Sequence, residues 1–173
     1  MQSPQKSPAD AARRSLLASA PALLLSRATA AGVLSALEAY ERQFGGRVGV
    51  YAANLATGAV LQWRAEERFV MCSTFKASLA ACVLARVDRQ QDHLEDRIAY
   101  GPQDLLEYAP VAREHLAEGF LPLERMCQAV VEFSDNSCAN LLLARVGGPP
   151  ALTAFWRGLG DAVTRLDLSL IHI

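Results

Sequence analysis

Two short motifs place hydroxyl, amine and amide side chains at spacings suited to acyl transfer. The first, Ser73-Thr74-Phe75-Lys76, opens a segment with strong helical patterning. A serine and a lysine three positions apart lie on one helix face, a single turn from each other. A serine hydroxyl needs a neighbour to take its proton, and a lysine can do so where burial lowers its pKa. The N–H of Ser73, at a helix N-terminus, could supply half of an oxyanion hole.

The second motif, Ser134-Asp135-Asn136, lies at a junction between two predicted helices. Its hydroxyl could relay a proton to a leaving nitrogen, and its amide could bind a substrate carbonyl and the lysine ammonium. Each motif alone has an ordinary structural explanation: a serine cap with a solvated lysine for the first, a helix N-cap for the second. The two motifs together favour a serine nucleophile paired with a lysine.

The elements that must position these motifs follow a simple order. Apolar residues recur at helical spacing over 33–44, and Gly45-Gly46 then ends that helix. Residues 47–55 and 59–63 alternate apolar and polar residues around a glycine-containing turn, which predicts an antiparallel hairpin.

A mostly helical stretch follows the hairpin, which makes the fold class α+β. The helical patterns cover a segment from Ser73 onward, then 122–133, 136–146, and a segment opened by Pro149-Pro150. Residues 88–101 are polar and predict a loop. A two-stranded hairpin needs further strands to be stable in water, and the sequence shows no other obvious strand.

The first thirty residues have the pattern of an export signal. Arg13-Arg14 precede a short apolar block over 16–25, and Ala28-Thr29-Ala30 offers small residues for cleavage. The paired arginines are also typical of the twin-arginine route. The alternative is an amphipathic helix packed on the domain. We expect a cleaved signal peptide over 1–30 and a periplasmic or secreted protein that leaves the membrane after export.

Composition argues against several other classes of protein. The 173 residues suit one domain, and the formal net charge of −1 gives no basic face for nucleic acid. Four cysteines form no CxxC pair, and the three histidines lie far apart in sequence. We therefore expect no metal and no cofactor.

The sequence resembles the class A β-lactamases, which share an S-x-x-K and S-D-N motif set with penicillin-binding proteins. The resemblance extends to RVGVYAANLATGAVLQWRAEERFVMCSTFK, LLEYAPVAREHL, FSDNSCANLLLARVGGPPALTAFWRGLGD and VTRLD, and it covers residues 31–167. It implies a serine β-lactamase/penicillin-binding-protein-like fold. This chain would hold only the N-terminal part: a helix, a β-hairpin and a mostly helical domain.

The resemblance also implies roles for individual residues. Ser73 matches the acylated serine, Lys76 its paired lysine and Ser134 the proton-relaying serine. Asn136 matches the asparagine that binds the substrate's side-chain amide, and Tyr108 matches the aromatic wall of the entrance. The implied substrate is a small β-lactam, and we expect a monomer.

Four further positions resemble structural residues of the family. Asn140 looks like the asparagine that tethers the Ω-loop, and Arg165 and Asp167 look like the first polar residues of that loop. Cys72 resembles a cysteine that is disulfide-bonded in several carbapenem-hydrolysing members, with a partner outside this chain. The remaining cysteines are expected to be core thiols, namely Cys82, Cys127 and Cys138.

The resemblance stops after Asp167. The family continues with an arginine and the glutamate that positions the deacylating water, whereas residues 168–173 read LSLIHI and no K-T-G motif follows. We expect these six residues to be a non-family tail from a truncated reading frame or an assembly artefact. The 173-residue polypeptide is then expected neither to fold stably nor to hydrolyse β-lactams.

Three other functions remain open from the sequence. A penicillin-binding transpeptidase or carboxypeptidase would form the same acyl-enzyme and release it slowly. A non-catalytic β-lactam sensor would bind without turnover. An unrelated exported helical binding protein would carry both motifs by chance.

Overall fold

The computed structural model describes residues 30–167. The expected signal peptide, apart from Ala30, and the expected tail at 168–173 lie outside the described residues. The chain forms two compact units with their boundary between Phe69 and Val70. No helix within the described part of the chain is long and apolar enough to cross a lipid bilayer.

The described part of the first unit contains one helix and one hairpin, as the sequence predicts. The strands pair antiparallel, and Val50 lies opposite Trp63. Asn54 turns the chain between them, because its side-chain oxygen accepts hydrogen bonds from two following backbone N–H groups. Gly58 completes the turn at a φ of 71°. The elements are α1 (Ala30–Phe44), β1 (Val50–Ala53) and β2 (Val60–Trp63).

The second unit holds most of the helices. A 3-10 turn over Cys72–Thr74 leads directly into α2, so the predicted helix begins as a tighter turn at Ser73. The elements that follow are α2 (Phe75–Asp88), β3 (Arg97–Ala99), α3 (Pro110–Glu114), β4 (Phe120–Pro122), α4 (Leu123–Glu132), α5 (Asn136–Val146) and α6 (Gly148–Gly158).

The core of the second unit lies where α2, α4 and α5 pack together. Leu79 and Val83 of α2, Met126 of α4 and Leu142 of α5 are completely buried. Burying a side chain of this size stabilises a fold by about 1.5–3 kcal/mol. The same packing brings together the N-terminal end of α2 and the N-terminal end of α5, where the two motifs lie.

A second small sheet corrects the sequence analysis. Residues 88–101 were predicted to be a loop and no strand beyond the hairpin was evident, yet β3 pairs antiparallel with β4. Each strand has only three residues, and within β3 only Ile98 is partly buried. A period-two pattern needs a longer run to be visible, so the sequence carries no clear signal for these strands.

A buried carboxylate joins the far ends of α2 and α5. Asp92 is 1% exposed, and its two oxygens accept from Arg86 at 2.5 Å and from Arg145 at 2.8 Å. Arg86 lies in the last turn of α2 and Arg145 in the last turn of α5. The two helices that carry the motifs are thus also tied together at their opposite ends.

Candidate active site

Ser73 lies at the surface in the 3-10 turn before α2. The preceding residue, Cys72, has a φ of 46°, a left-handed conformation that a residue with a side chain rarely adopts. Such backbone conformations persist only where the surrounding structure enforces them, and they are frequent at functional sites. Ser73 is therefore presented to solvent from a constrained turn at the start of a helix.

Lys76, in the first turn of α2, is the central charged group of the site. Its side chain is buried, with 1% exposure, and its ammonium donates to Asn136 Oδ1 at 2.5 Å and to Ser134 Oγ at 3.0 Å. It also donates to the backbone oxygen of Ser134 at 2.6 Å. Three acceptors match the three protons of an ammonium, so the second motif is built around this lysine.

Burial lowers the pKa of Lys76 below its ordinary value, because the charged form loses its hydration. The nearby carboxylate of Asp135 opposes this shift by favouring the ammonium. The three contacts of the ammonium are to neutral oxygen atoms. A lysine in this environment can release a proton more readily than one in water.

Ser134 and Asn136 are held in place by the start of α5. Ser134 has a φ of 54°, so the chain bends sharply just before the helix and turns both its hydroxyl and its carbonyl toward Lys76. Asn136 is the first helical residue, and its backbone N–H donates to the carbonyl of Tyr108 at 3.0 Å. The structure thus brings together Lys76, Ser134, Asn136 and the backbone of Tyr108.

The other predicted site residues differ in their exposure and in the element that carries them. The Tyr108 side chain is 57% exposed. Asn140 lies one turn after Asn136 in α5 and is partly buried. Arg165 and Asp167 follow α6 in an exposed loop, where they form an ion pair at 3.1 Å.

The cysteines follow the sequence expectation for core thiols. Cys82, Cys127 and Cys138 are buried free thiols, and burial raises the pKa of each. Cys72 is exposed and is also a free thiol. Across residues 30–167, no group of three His, Cys, Asp or Glu side chains is arranged to hold a metal ion.

Two residues that support the site from beneath have no predicted site role in the sequence. Asp135 is fully buried, and its carboxylate accepts from the backbone N–H groups of Val111, Ala112 and Cys138 at 2.9–3.0 Å. It caps α5 and also secures the start of α3. The helix-cap explanation of S-D-N is therefore correct for its aspartate. The second of these two residues is Ser137, which no sequence signal distinguishes from an ordinary helical serine.

Comparison with known proteins identifies the family of this chain. Residues 33–172 match the model of the β-lactamase enzyme family. The chain is 48% identical to a β-lactamase from Burkholderia vietnamiensis, with a TM-score of 0.77 over 79% of this chain and 51% of that one. An ancestral class A β-lactamase (GNCA) is also 48% identical, with a TM-score of 0.78 over 81% of this chain and 54% of that one.

The chain thus spans about half the length of the solved structures that it matches. Within that half, it has the mixed helices and small sheets of the N-terminal portion of the class A fold. This confirms the fold predicted from the sequence, and the chain therefore belongs to the β-lactamase enzyme family.

Proposed function

We propose that the complete protein hydrolyses β-lactam antibiotics through a serine acyl-enzyme, with Ser73 as its nucleophile. The observation that carries this proposal is the burial of Lys76 three residues after an exposed serine, with its ammonium bound to neutral oxygens. A lysine in that environment can serve as a base, whereas a solvated lysine cannot at neutral pH.

In the acylation step, Ser73 Oγ attacks the carbonyl carbon of the lactam and its proton passes to the neutral amine of Lys76. The Ser73 N–H donates to the oxyanion that forms. The C–N bond of the ring then breaks, and the ring nitrogen takes a proton from the Ser134 hydroxyl, which the Lys76 ammonium replenishes at 3.0 Å. The product is an ester on Ser73, which water hydrolyses to the open-ring acid and free serine.

Asn136 and Tyr108 are assigned to substrate binding. Because an ammonium only donates, the oxygen of the Asn136 amide must face Lys76, and its NH2 group remains for an acceptor on the substrate. The Tyr108 ring is exposed and its backbone is bonded to Asn136, so we assign this ring to an apolar wall of the entrance. Asn140, Arg165 and Asp167 are assigned to the Ω-loop, and Cys72 to a structural position.

A chimera tests the catalytic assignment directly. It joins residues 31–167 of this chain to the C-terminal half of the Burkholderia vietnamiensis enzyme and is compared with its Ser73→Ala variant. Incubation with benzylpenicillin followed by mass spectrometry measures the covalent adduct, and nitrocefin colour measures turnover. We expect an adduct that maps to Ser73 and turnover that the alanine variant lacks.

The same experiment bears on the alternative functions mainly through acylation, because the chimera takes the segment after Asp167 from the Burkholderia vietnamiensis enzyme. An adduct without turnover would favour the penicillin-binding transpeptidase or a β-lactam sensor. A folded chimera with neither adduct nor turnover would overturn the proposal. Circular dichroism and a cooperative thermal transition establish that the chimera is folded.

We further propose export of the protein by a cleaved signal peptide over residues 1–30, a catalytic domain that includes residues 31–167, and a monomeric state. Mass spectrometry of the periplasmic protein should show a chain that begins near residue 31. Replacing Arg13 and Arg14 by lysine should block export only if the twin-arginine route is used. Light scattering measures the oligomeric state.

A further inference from the structure

We propose that Ser137 is a positioning residue that determines substrate specificity: its hydroxyl holds the segment 104–109 in place and thereby sets Tyr108 relative to Asn136. The segment 104–109 is called the strap below. This inference rests on the proposed function, because Tyr108 and Asn136 matter for specificity only if the site binds a β-lactam.

The hydroxyl of Ser137 is completely buried and bridges two backbone groups of the strap. It accepts from the Leu106 N–H at 2.7 Å and donates to the carbonyl of Asp104 at 2.8 Å. A serine hydroxyl has a single proton to donate, so this geometry uses its whole donor capacity. In both bonds the partners are separated by more than thirty residues of sequence.

The neighbouring residue of α5 holds the next part of the same strap. The Asn136 N–H donates to the Tyr108 carbonyl at 3.0 Å, so consecutive residues of the helix bind alternate residues of the strap. Residues 105–109 form neither helix nor strand. Arg113 adds a contact at 3.1 Å to the Leu106 carbonyl from an exposed side chain. The two α5 contacts are therefore the ones that relate the strap to the site.

The Tyr108 ring depends on these backbone contacts for its position. The residue is 57% exposed, so packing restrains its side chain only weakly. Loss of the Ser137 hydroxyl would leave the Leu106 N–H and the Asp104 carbonyl without this partner, and the strap would gain freedom next to Asn136. Ser73 and Lys76 receive no bond from Ser137, so the chemistry of acylation should be spared.

The test compares Ser137→Thr with Ser137→Val in the chimera described above. The two side chains have the same shape and differ only in the hydroxyl, so any change in packing is shared. Each variant is assayed with benzylpenicillin, which carries an aromatic acylamino side chain, and with 6-aminopenicillanic acid, which carries none. Hydrogen exchange of the Leu106 amide is measured in the same proteins.

We expect kcat/KM for benzylpenicillin to be about fivefold lower in the valine variant than in the threonine variant, mainly through KM. For 6-aminopenicillanic acid, the two variants should agree within about twofold. The Leu106 amide should exchange faster in the valine variant, whereas the Cys138 amide, which is bonded to Asp135, should not change.

An equal loss on both substrates would show a general structural role and overturn the inference, and so would equal exchange of Leu106 in the two variants. These outcomes are distinct from failure of the proposed function. That failure would appear as the absence of acylation in the unsubstituted chimera, where the exchange comparison still decides whether Ser137 holds the strap.

Discussion

The Lys76 ammonium donates to the side-chain oxygen of Asn136 at 2.5 Å, across 60 residues of sequence. This bond orients the asparagine amide and at the same time places the lysine at the start of α5. Because an ammonium can only donate, it bonds the amide oxygen of Asn136, and the NH2 group of that amide points away from the lysine.

Replacing Lys76 by arginine should abolish efficient acylation while keeping the positive charge. A guanidinium does not release its proton at accessible pH, so the general-base step is lost. We expect the rate of acylation by benzylpenicillin in the chimera to fall by about 10²–10⁴-fold. Quenched-flow mass spectrometry measures it, with thermal unfolding as the control for folding. A rate within tenfold of the unsubstituted chimera would contradict the role of Lys76 as a base.

The lowered pKa of Lys76 should appear in the stability of the protein as well. The folded state then binds fewer protons than the unfolded state between the folded pKa and the ordinary value near 10.5, so the free energy of unfolding should rise with pH in that window. A Lys76→Met variant should lack this rise. Urea titrations of both proteins at several alkaline pH values measure the difference, and parallel curves would contradict the shift.

Asp135 should be important for stability because three buried backbone N–H groups converge on its carboxylate. Replacing it by alanine should lower the free energy of unfolding by about 2–4 kcal/mol, since these donors lose their partner. Asparagine keeps one accepting oxygen and should cost less. Denaturant unfolding measures both variants. If the alanine variant lost under 0.5 kcal/mol, the supporting role of Asp135 would be wrong.

Asp92 should make the fold sensitive to acid. The hydrogen bond from Arg86, together with that from Arg145, lowers its pKa below the ordinary 3.8. Its stabilisation is therefore present above pH 3.8 and is lost as the pH falls through the lower folded value. Asp92→Asn should lack this acid dependence and should be about 1–3 kcal/mol less stable at neutral pH.

Asp96 provides the matched control for Asp92. It bonds the same Arg145 at 2.8 Å, but its side chain is 32% exposed. Asp96→Asn should therefore change the free energy of unfolding by less than about 1 kcal/mol. Equal effects of the two substitutions would show that burial of Asp92 is not what makes its ion pairs important.

The 173-residue chain by itself should show no nitrocefin turnover above its Ser73→Ala variant. It spans about half the length of its solved relatives, and we expect the proposed reaction to need groups from the other half of that fold, including a second oxyanion donor. The assay uses purified chain at the concentration where the chimera is active. Serine-dependent turnover by the chain alone would show that the described half is sufficient.

Long-range geometry explains what the sequence could and could not predict. The helices α1, α4, α5 and α6 were predictable because their periodic apolar residues, glycine ends and prolines act locally. The strands β3 and β4 were not, since each has three residues and depends on its partner. The bonds of Lys76 to Ser134 and Asn136 were anticipated only from the resemblance and from residue chemistry.

The residues that hold the site in place could not be predicted from the sequence for a related reason. Ser137 is a serine inside a helix, and its partners Asp104 and Leu106 take part through backbone atoms, which any residue possesses. Asp135 carried a recognisable cap signal, but nothing in the sequence revealed its second helix, α3. Residue types thus predicted the reacting groups, whereas hydrogen bonds from side chains to distant backbone atoms, which position those groups, could not be predicted.

The environment that lowers the pKa of Lys76 exists only when the helices of the second unit are packed together. All three of its oxygen acceptors belong to Ser134 and Asn136, at the start of α5, and they reach the lysine only when α5 has packed on α2. In any partly folded species the amine would be hydrated and fully protonated, and the serine inert. Under the proposed function, acylation by a penicillin therefore reports on native packing of α5 against α2, and a misfolded copy is expected not to react.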